Sequence, residues 1–263
     1  MKRTFLLAIV TTMIAASCSS DTSSSAAATS AAAEPLELIV FAASSLTDAF
    51  TEIGDAFSAE NAGVTVTFNF GSSTDLATQI QSEGTADVFA SASGTAMDVA
   101  AEDPGVTDEV DFATNALVVV TPPDNPAGIG SIEDLGGDGV QLVLGAEGVP
   151  VGDYARQALD NAGVLDAAEA NVVSNEEDNA SVVAKIVAGE ADAAIVYGSD
   201  VSAAADNDLA SFAIPDDVNV IATYPIAAVT GSANTSTAQA FITYVMGPGQ
   251  ATLAEYGFGP APG

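Results

Sequence analysis

The sequence predicts an α/β fold of two lobes, each a mainly parallel sheet flanked by helices, with a ligand cleft between them. Three observations predict it. Apolar runs of strand length alternate with segments of helical period along nearly the whole chain, the pattern of parallel strands joined by crossover helices. Two similar βαβαβ blocks, over about 36–115 and 116–222, precede a C-terminal piece. Several strands enter helices through short Ser-, Gly- or Asn-containing turns, which leave open N–H groups above the strand ends, where ligands of such folds sit.

In chain order, Leu36–Val40 is a strand and Phe41–Asp48 its exit, since Leu46, Ala49, Phe50, Ile53, Ala56 and Phe57 recur at helical spacing. Val64–Phe70 alternates as a strand, then Gly71-Ser72-Ser73 turns into a helix carrying Leu76, Ala77 and Ile80, which Gly84 ends. Ala86–Ala90 is a short buried strand before a helix to about Ala101. Ala116–Val120 is the next strand, closed by Pro122-Pro123, and a short helix around Ser131–Leu135 precedes the strand Gln141–Gly145. The third junction, Gly148 to Asp153, enters a helix to Ala162; Pro150 has no N–H, so the first free amides there are those of Val151 and Gly152. Val172–Ser174 is a strand, and Asn179 is placed to cap the helix Ala180–Ala188. Ala191–Tyr197 is a buried strand ending in a tyrosine, Val218–Ile221 an edge strand and Tyr224–Val229 another apolar strand. The helices Thr235–Met246 and Gln250–Tyr256 close the chain.

A helix entered from a strand offers open amides and a positive dipole end, so a small anion is the natural guest at each junction. Ser45 with Asp48 and Ser72 with Asp75 also have capping-box spacing, so each pair reads equally as a plain helix start. Asp153 falls in a first helical turn, where dipole compensation explains it.

The formal net charge is −32, from 36 acidic and four basic residues. Lys2 and Arg3, the apolar run Phe5–Val10 and the small residues before Cys18 read as a secretory signal over 1–17, too short for a membrane span. Cys18 is the single cysteine, so the chain has no internal disulfide framework. Ala15-Ala16-Ser17-Cys18 resembles a bacterial lipobox, with Cys18 lipidated and 18–34 a Ser/Ala-rich tether. Cleavage there leaves Arg156 and Lys185 as the only bases. Such a surface repels nucleic acid and anionic lipid and suits a salty habitat. About 230 residues remain, assigned as 35–115 plus 223–263 for lobe 1 and 116–222 for lobe 2.

Enzymatic readings lack their residues. The chain has no histidine, which removes Ser-His and Cys-His nucleophiles and histidine metal ligands. Lys185 falls far from both serine junctions, and the absence of tryptophan argues against a glycosidase cleft. A calcium-binding surface lipoprotein is a further alternative, but the acids are scattered and form no D-x-D-x-D-G loop.

The ordered motifs Val40–Thr47, Phe70–Ser73 with Leu76, Ala86–Ala92, Val149–Gly152 with Tyr154-Ala155, Ile195–Asp200, Tyr224–Ala227 and Tyr256–Phe258 resemble the molybdate-binding proteins of ABC importers, within the periplasmic-binding-protein superfamily (type II). The resemblance implies an oxyanion, molybdate or tungstate, held by neutral donors: the hydroxyls of Ser45, Ser73 and Tyr197 and the backbone amides of Val151 and Asn179. It also implies no cofactor, no catalysis, a monomer outside the cytoplasm, and a permease with its ATPase as partners. Asn179 stands where the family usually has valine, and Ala180 where arginine is common. A related binding protein for sulfate or phosphate is the alternative within the same fold.

Overall fold

In the computed structural model, which describes residues 35–202, 205 and 208–262, β1 (Leu36–Ala43) is buried from Val40 onward because helices cover both of its faces. The proposed signal peptide (1–17) and the Cys18 tether (18–34) lie outside the described residues. β1 pairs in parallel with β2 (Val64–Gly71) on one edge and β3 (Val88–Ala90) on the other. α1 (Thr47–Glu60) buries Ala49, Phe50, Ile53 and Phe57 along one stripe, and α2 (Ser73–Glu83) buries Leu76, Ala77 and Ile80. Gly84 ends α2 at φ 60°, a left-handed conformation that glycine adopts without a Cβ penalty. α3 (Gly94–Glu102) starts on Ser93, whose Oγ accepts from the Ala96 N–H.

β4 is much longer than its apolar run. It spans Val106–Thr121, sixteen residues, where the sequence indicated only Ala116–Val120. Its first half is largely polar and exposed and is held by backbone pairing with β9 (Ile221–Val229), so it carries no hydrophobic alternation to read. β5 (Leu142–Gly145) follows, then α4 (Pro150–Asn161), the short α5 (Leu165–Ala170), β6 (Val172–Glu176), α6 (Asn179–Val187) and β7 (Ala193–Tyr197). β5 runs parallel to both β6 and β7.

The edge strand expected over Val218–Ile221 does not form. Val218 and Asn219 instead turn back to donate to the Pro215 carbonyl. The Asn219 amide bonds both the N–H and the C=O of Leu117, replacing a strand ladder with a side chain. The edge position on β4 is taken by β8 (Ala210–Ala213). α7 (Thr235–Met246), α8 (Gly249–Glu255) and the two-residue β10 (Gly259–Pro260), which pairs with β4, complete the chain.

The strand order is β2-β1-β3-β9-β4-β7-β5-β6, a mixed sheet with two parallel sets joined through antiparallel β9 and β4. Residues 106–116 of β4 pair with β9, while Leu117–Val120 pair with β7. The second set is therefore displaced along β4 beyond the first and runs the opposite way. Tyr197, the last residue of β7, sits opposite Leu117, close to the changeover. The carboxyl ends of both parallel sets thus face the middle of β4, giving the two-lobed architecture.

Phe50 on α1 is fully buried and meets the rings of Phe68, Phe112 and Phe241 at centroid distances of 6.2, 5.6 and 6.2 Å, joining α1 to β2, β4 and α7. The Asp87 carboxylate, also buried, accepts from the Ile39 N–H, Ser232 Oγ and Asn234 Nδ2, tying the segment after β9 to β1. Truncating Phe50 to alanine should cost about 3–5 kcal/mol of unfolding free energy, the range for a large buried aromatic. Urea titration of the variant measures this; a loss under about 1 kcal/mol would mean that the aromatic cluster is not the packing centre of that side.

Candidate functional site

Four parallel strands deliver their chain into helices around one small cavity. β1 passes through a 3-10 turn, Ser44–Leu46, into α1; β2 passes through Ser72 into α2; β5 and β6 lead to α4 and α6. The cavity is lined by Ala43, Ser44, Ser45, Gly71, Ser72, Ser73, Ala92, Val149, Pro150, Val151, Asn179 and Tyr197. All five residues singled out in the sequence, Ser45, Ser73, Val151, Asn179 and Tyr197, are among them. Its volume is about 10 Å³, and one water needs roughly 10–15 Å³. As it stands, the cavity has room for about one water-sized group.

The serines do not cap helices. Ser45 lies inside the 3-10 turn, and neither Leu46 at the N-cap of α1 nor Ser72 at that of α2 makes a side-chain capping bond. The Ser73 Oγ instead accepts from the Ala92 N–H at 2.9 Å, which leaves its proton for another acceptor. The Ser45 Oγ and the Tyr224 Oη lie 2.9 Å apart. Burial raises the Tyr224 pKa strongly, so this phenol stays protonated and can donate to Ser45, freeing the serine proton as well. The Tyr197 hydroxyl is buried beside the Tyr224 hydroxyl. Burial, reinforced by the nearby Tyr224 and Tyr154 hydroxyls and the Asp200 carboxylate, holds its pKa well above the usual phenol value, so it is a donor.

The amides follow from the helix starts. Pro150 is the first residue of α4 and has no N–H, and the Asp153 N–H closes onto the Val149 carbonyl. Between them, the Val151 and Gly152 amides have no intrahelical acceptor. Gly152 is required there, because a Cβ would lie 2.3 Å from the Gly145 oxygen and 2.4 Å from that of Ala146. At α6 the cap is Asp178, not Asn179: the Asp178 Oδ1 accepts from the Ser181 N–H, and Asn179 is the first helical residue. An aspartate binds that amide more strongly than asparagine, since its charge adds to the dipole interaction. The Ala180 N–H goes to Ser44 Oγ at 3.3 Å and the Val182 N–H to the Asp178 carbonyl. The Asn179 N–H is then the first-turn amide left open.

Both basic residues among the described residues are engaged elsewhere. The Arg156 guanidinium donates to the Gly145 and Gly152 carbonyls and Asn175 Oδ1, and its Nε lies 2.7 Å from Glu169. Lys185 pairs with Glu190. Neither lines the cavity. Among the described residues, no group of three or more Asp, Glu or Cys is arranged to hold a metal ion.

Four contributors were not assigned a role from sequence. Ser44 and Ser72 line the cavity beside the chosen serines, and nothing in the spacing separates each from its neighbour. Tyr224 and Asp200 both lie in the motifs read above, but their role depends on pairing across strands. Asp200 joins two site residues: Oδ1 accepts from Asn179 Nδ2 and Oδ2 from the Tyr197 N–H, each at 2.9 Å. It borders an adjoining cavity of about 360 Å³, shared with Asp48 and Tyr256, and so keeps some solvent contact. The protein packed around its carboxylate nevertheless raises its pKa to about 7, against the hydrogen bonds from Asn179 and Tyr197 that lower it.

Paired strand ends and open amides converging on one small cavity define the class of a solute-binding protein. The chain belongs to the bacterial extracellular solute-binding protein family, whose model matches residues 38–259. It is 37% identical over 223 residues to the molybdate-binding protein ModA of Mycobacterium tuberculosis, covering 84% of each chain. The molybdate-binding protein ModA of Escherichia coli is 35% identical over 240 residues, 86% of this chain and 90% of that one. Among solved structures, the periplasmic molybdate-binding protein of Azotobacter vinelandii superposes with a TM-score of 0.72 at 20% identity, covering 84% of this chain and 98% of that one. The sulfate-binding protein SubI of M. tuberculosis gives 0.73 at 17% identity, over 86% and 87%. These two likenesses show the two-lobed fold.

Asp200 makes stability depend on pH in a defined direction. Between its ordinary value of 3.8 and its folded value of about 7, the folded chain holds a proton that the unfolded chain has released. Its contribution therefore falls as pH rises through that interval and levels off above it. Unfolding free energies of wild type and Asp200→Asn, measured across the interval, should diverge in the variant's favour as pH rises. A difference that stays constant would show that Asp200 ionises like an exposed carboxylate.

Proposed function

We propose that this chain is the extracytoplasmic receptor of an ABC importer for molybdate, with tungstate as an equivalent ligand. The observation that carries the reading is the set of five donors, three hydroxyls and two amides, around one enclosure with no cation in its wall. A fully deprotonated tetrahedral dianion offers acceptors only, so it matches such a wall. The positive ends of α1, α2, α4 and α6 supply the compensating electrostatics. Ser45, Ser73 and Tyr197 donate through hydroxyls, Val151 and Asn179 through backbone N–H groups. Identity of 35–37% to two curated molybdate-binding proteins over most of each chain supports the choice of oxyanion.

In this reading the ligand lies between lobe 1 (35–115 with 223–263) and lobe 2 (116–222), and closure completes the donor set. The receptor works as a monomer that delivers its anion to a membrane permease driven by an ATPase. Cys18, lipidated after removal of 1–17, anchors it to the outer side of the membrane. The described residues include no helix long and apolar enough to cross a membrane.

Isothermal titration should give tight binding of molybdate and tungstate and weaker binding of sulfate and phosphate. Ser45→Ala and Ser73→Ala should each cost about 1.5–3 kcal/mol, the range for a hydrogen bond to a charged group. Val151→Ala should cost far less, since only its backbone is used. Equal affinity for molybdate and phosphate, or no heat with either, overturns the reading. For the anchor, Cys18→Ala should move the protein from the membrane fraction to the medium, and a variant that stays with the membrane would exclude lipidation as the tether.

A further inference from the structure

Resting on the anion site just proposed, we infer that Thr74 is a positioning residue of that site: its hydroxyl latches the two parallel strand sets together beside the cavity and sets how long the anion stays. Thr74 Oγ1 donates to the Gly148 carbonyl oxygen at 2.5 Å. Thr74 is the second residue of α2, which follows β2, and Gly148 lies between β5 and α4. The bond therefore crosses from the set of β1, β2 and β3 to the set of β5, β6 and β7. A second crossing, from the Ala180 N–H to Ser44 Oγ, is longer at 3.3 Å. Neither Thr74 nor Gly148 lines the small cavity, but Ser73 and Val149, their neighbours in the chain, both do. Thr74 and Gly148 instead line an outer gap of about 190 Å³, whose wall includes the exposed residues Thr95 and Asp153. Pro150 borders both spaces. The bond thus stands in the partition between the enclosure and solvent.

The acceptor is held in place before α2 meets it. Gly148 has φ 83°, a left-handed conformation that glycine adopts freely, and its N–H donates to Asp153 Oδ1 at 2.8 Å. The Val149 N–H shares a rigid peptide plane with the Gly148 carbonyl and donates to the Ala146 carbonyl at 3.1 Å. These two bonds fix the direction of the Gly148 carbonyl, while the first turn of α2 and a β-branched side chain restrict the hydroxyl opposite. Little conformational freedom is then lost when the two pair. From 2.5 Å the contact can lengthen by about 0.5 Å and remain an O–H···O hydrogen bond. That margin accommodates the slight parting of the walls that a tetrahedral anion needs, and a wider separation of the two sets breaks the bond. An interaction made only when the sets are together acts on release far more than on arrival.

Thr74→Val removes the hydroxyl and keeps the side-chain shape, whereas Thr74→Ser keeps the hydroxyl; neither touches the five donors. Molybdate association and release are measured on the full chain by rapid mixing and rapid dilution, followed by tyrosine fluorescence. Release from Thr74→Val should be about three- to ten-fold faster than from wild type, the range for one neutral hydrogen bond. Its association rate should stay within about two-fold of wild type, and Thr74→Ser should restore slow release. A release rate that changes less than about 1.5-fold in Thr74→Val, well below the effect of one hydrogen bond, overturns the inference. An affinity loss carried by slower association, or a Thr74→Ser that releases as fast as Thr74→Val, overturns it equally. Those outcomes leave the anion site standing, because molybdate still binds. Wild type that binds no molybdate removes the site itself and the latch with it.

Discussion

Backbone pairing along β4 is the constraint on which the remainder of the structure depends. One half of this strand is zipped to β9 and the other to β7, so the two parallel sets cannot lie side by side. They are offset along the strand and opposed in direction. That arrangement alone brings carboxyl ends from both sets to a common place. Had β4 been only as long as its apolar run, the open amides of α1 and α2 would face one region and those of α4 and α6 another. The mostly polar start of β4, Val106–Asp111, which contributes little to the core, belongs to the half paired with β9 that sets the geometry of the site.

Around the cavity the governing rule is hydrogen-bond accounting. Helix starts always leave amides over, and several are absorbed nearby: Ala180 by Ser44, Ser181 by Asp178, Ala96 by Ser93. What remains after this absorption is a small set of open groups on a surface too confined for bulk water. Tyr224 and Asp200 belong to the layer behind it. Each takes up one hydrogen-bonding position of a lining residue, Ser45 or Asn179. The chemistry of the wall is therefore fixed by residues that do not form it.

The fold was legible wherever a segment buries a periodic face. The helices over Thr47–Glu60, Ser73–Glu83 and Thr235–Met246, and the strands β1, β2, β3, β5 and β7, all have cores that write their period into the sequence. The polar half of β4 and the four-residue β8 are held by backbone bonds at an edge, which leave no such trace. The strand expected at Val218–Ile221 looked β-rich, but Asn219 diverts its neighbours into a side-chain bridge to Leu117. At the site, the five residues drawn from family resemblance do meet at one enclosure. Their individual states did not follow from sequence: the cap of α6 is Asp178, and the Asn179 amide bonds a carboxylate 21 positions away.

The confinement of both bases has a kinetic side. Arg156 is engaged by two carbonyls, an asparagine and Glu169, and Lys185 by Glu190, and neither lines the cavity. An approaching anion meets the repulsion of a strongly acidic surface, and the dipoles that hold it act only at contact. Arrival and residence are then governed by different physics. Raising ionic strength from about 0.01 M to 1 M shortens the Debye length from roughly 30 Å to 3 Å, which lowers the barrier to arrival while leaving the enclosed contacts intact. For the receptor proposed above, added salt would therefore favour capture, the reverse of an anion site built on exposed lysines and arginines.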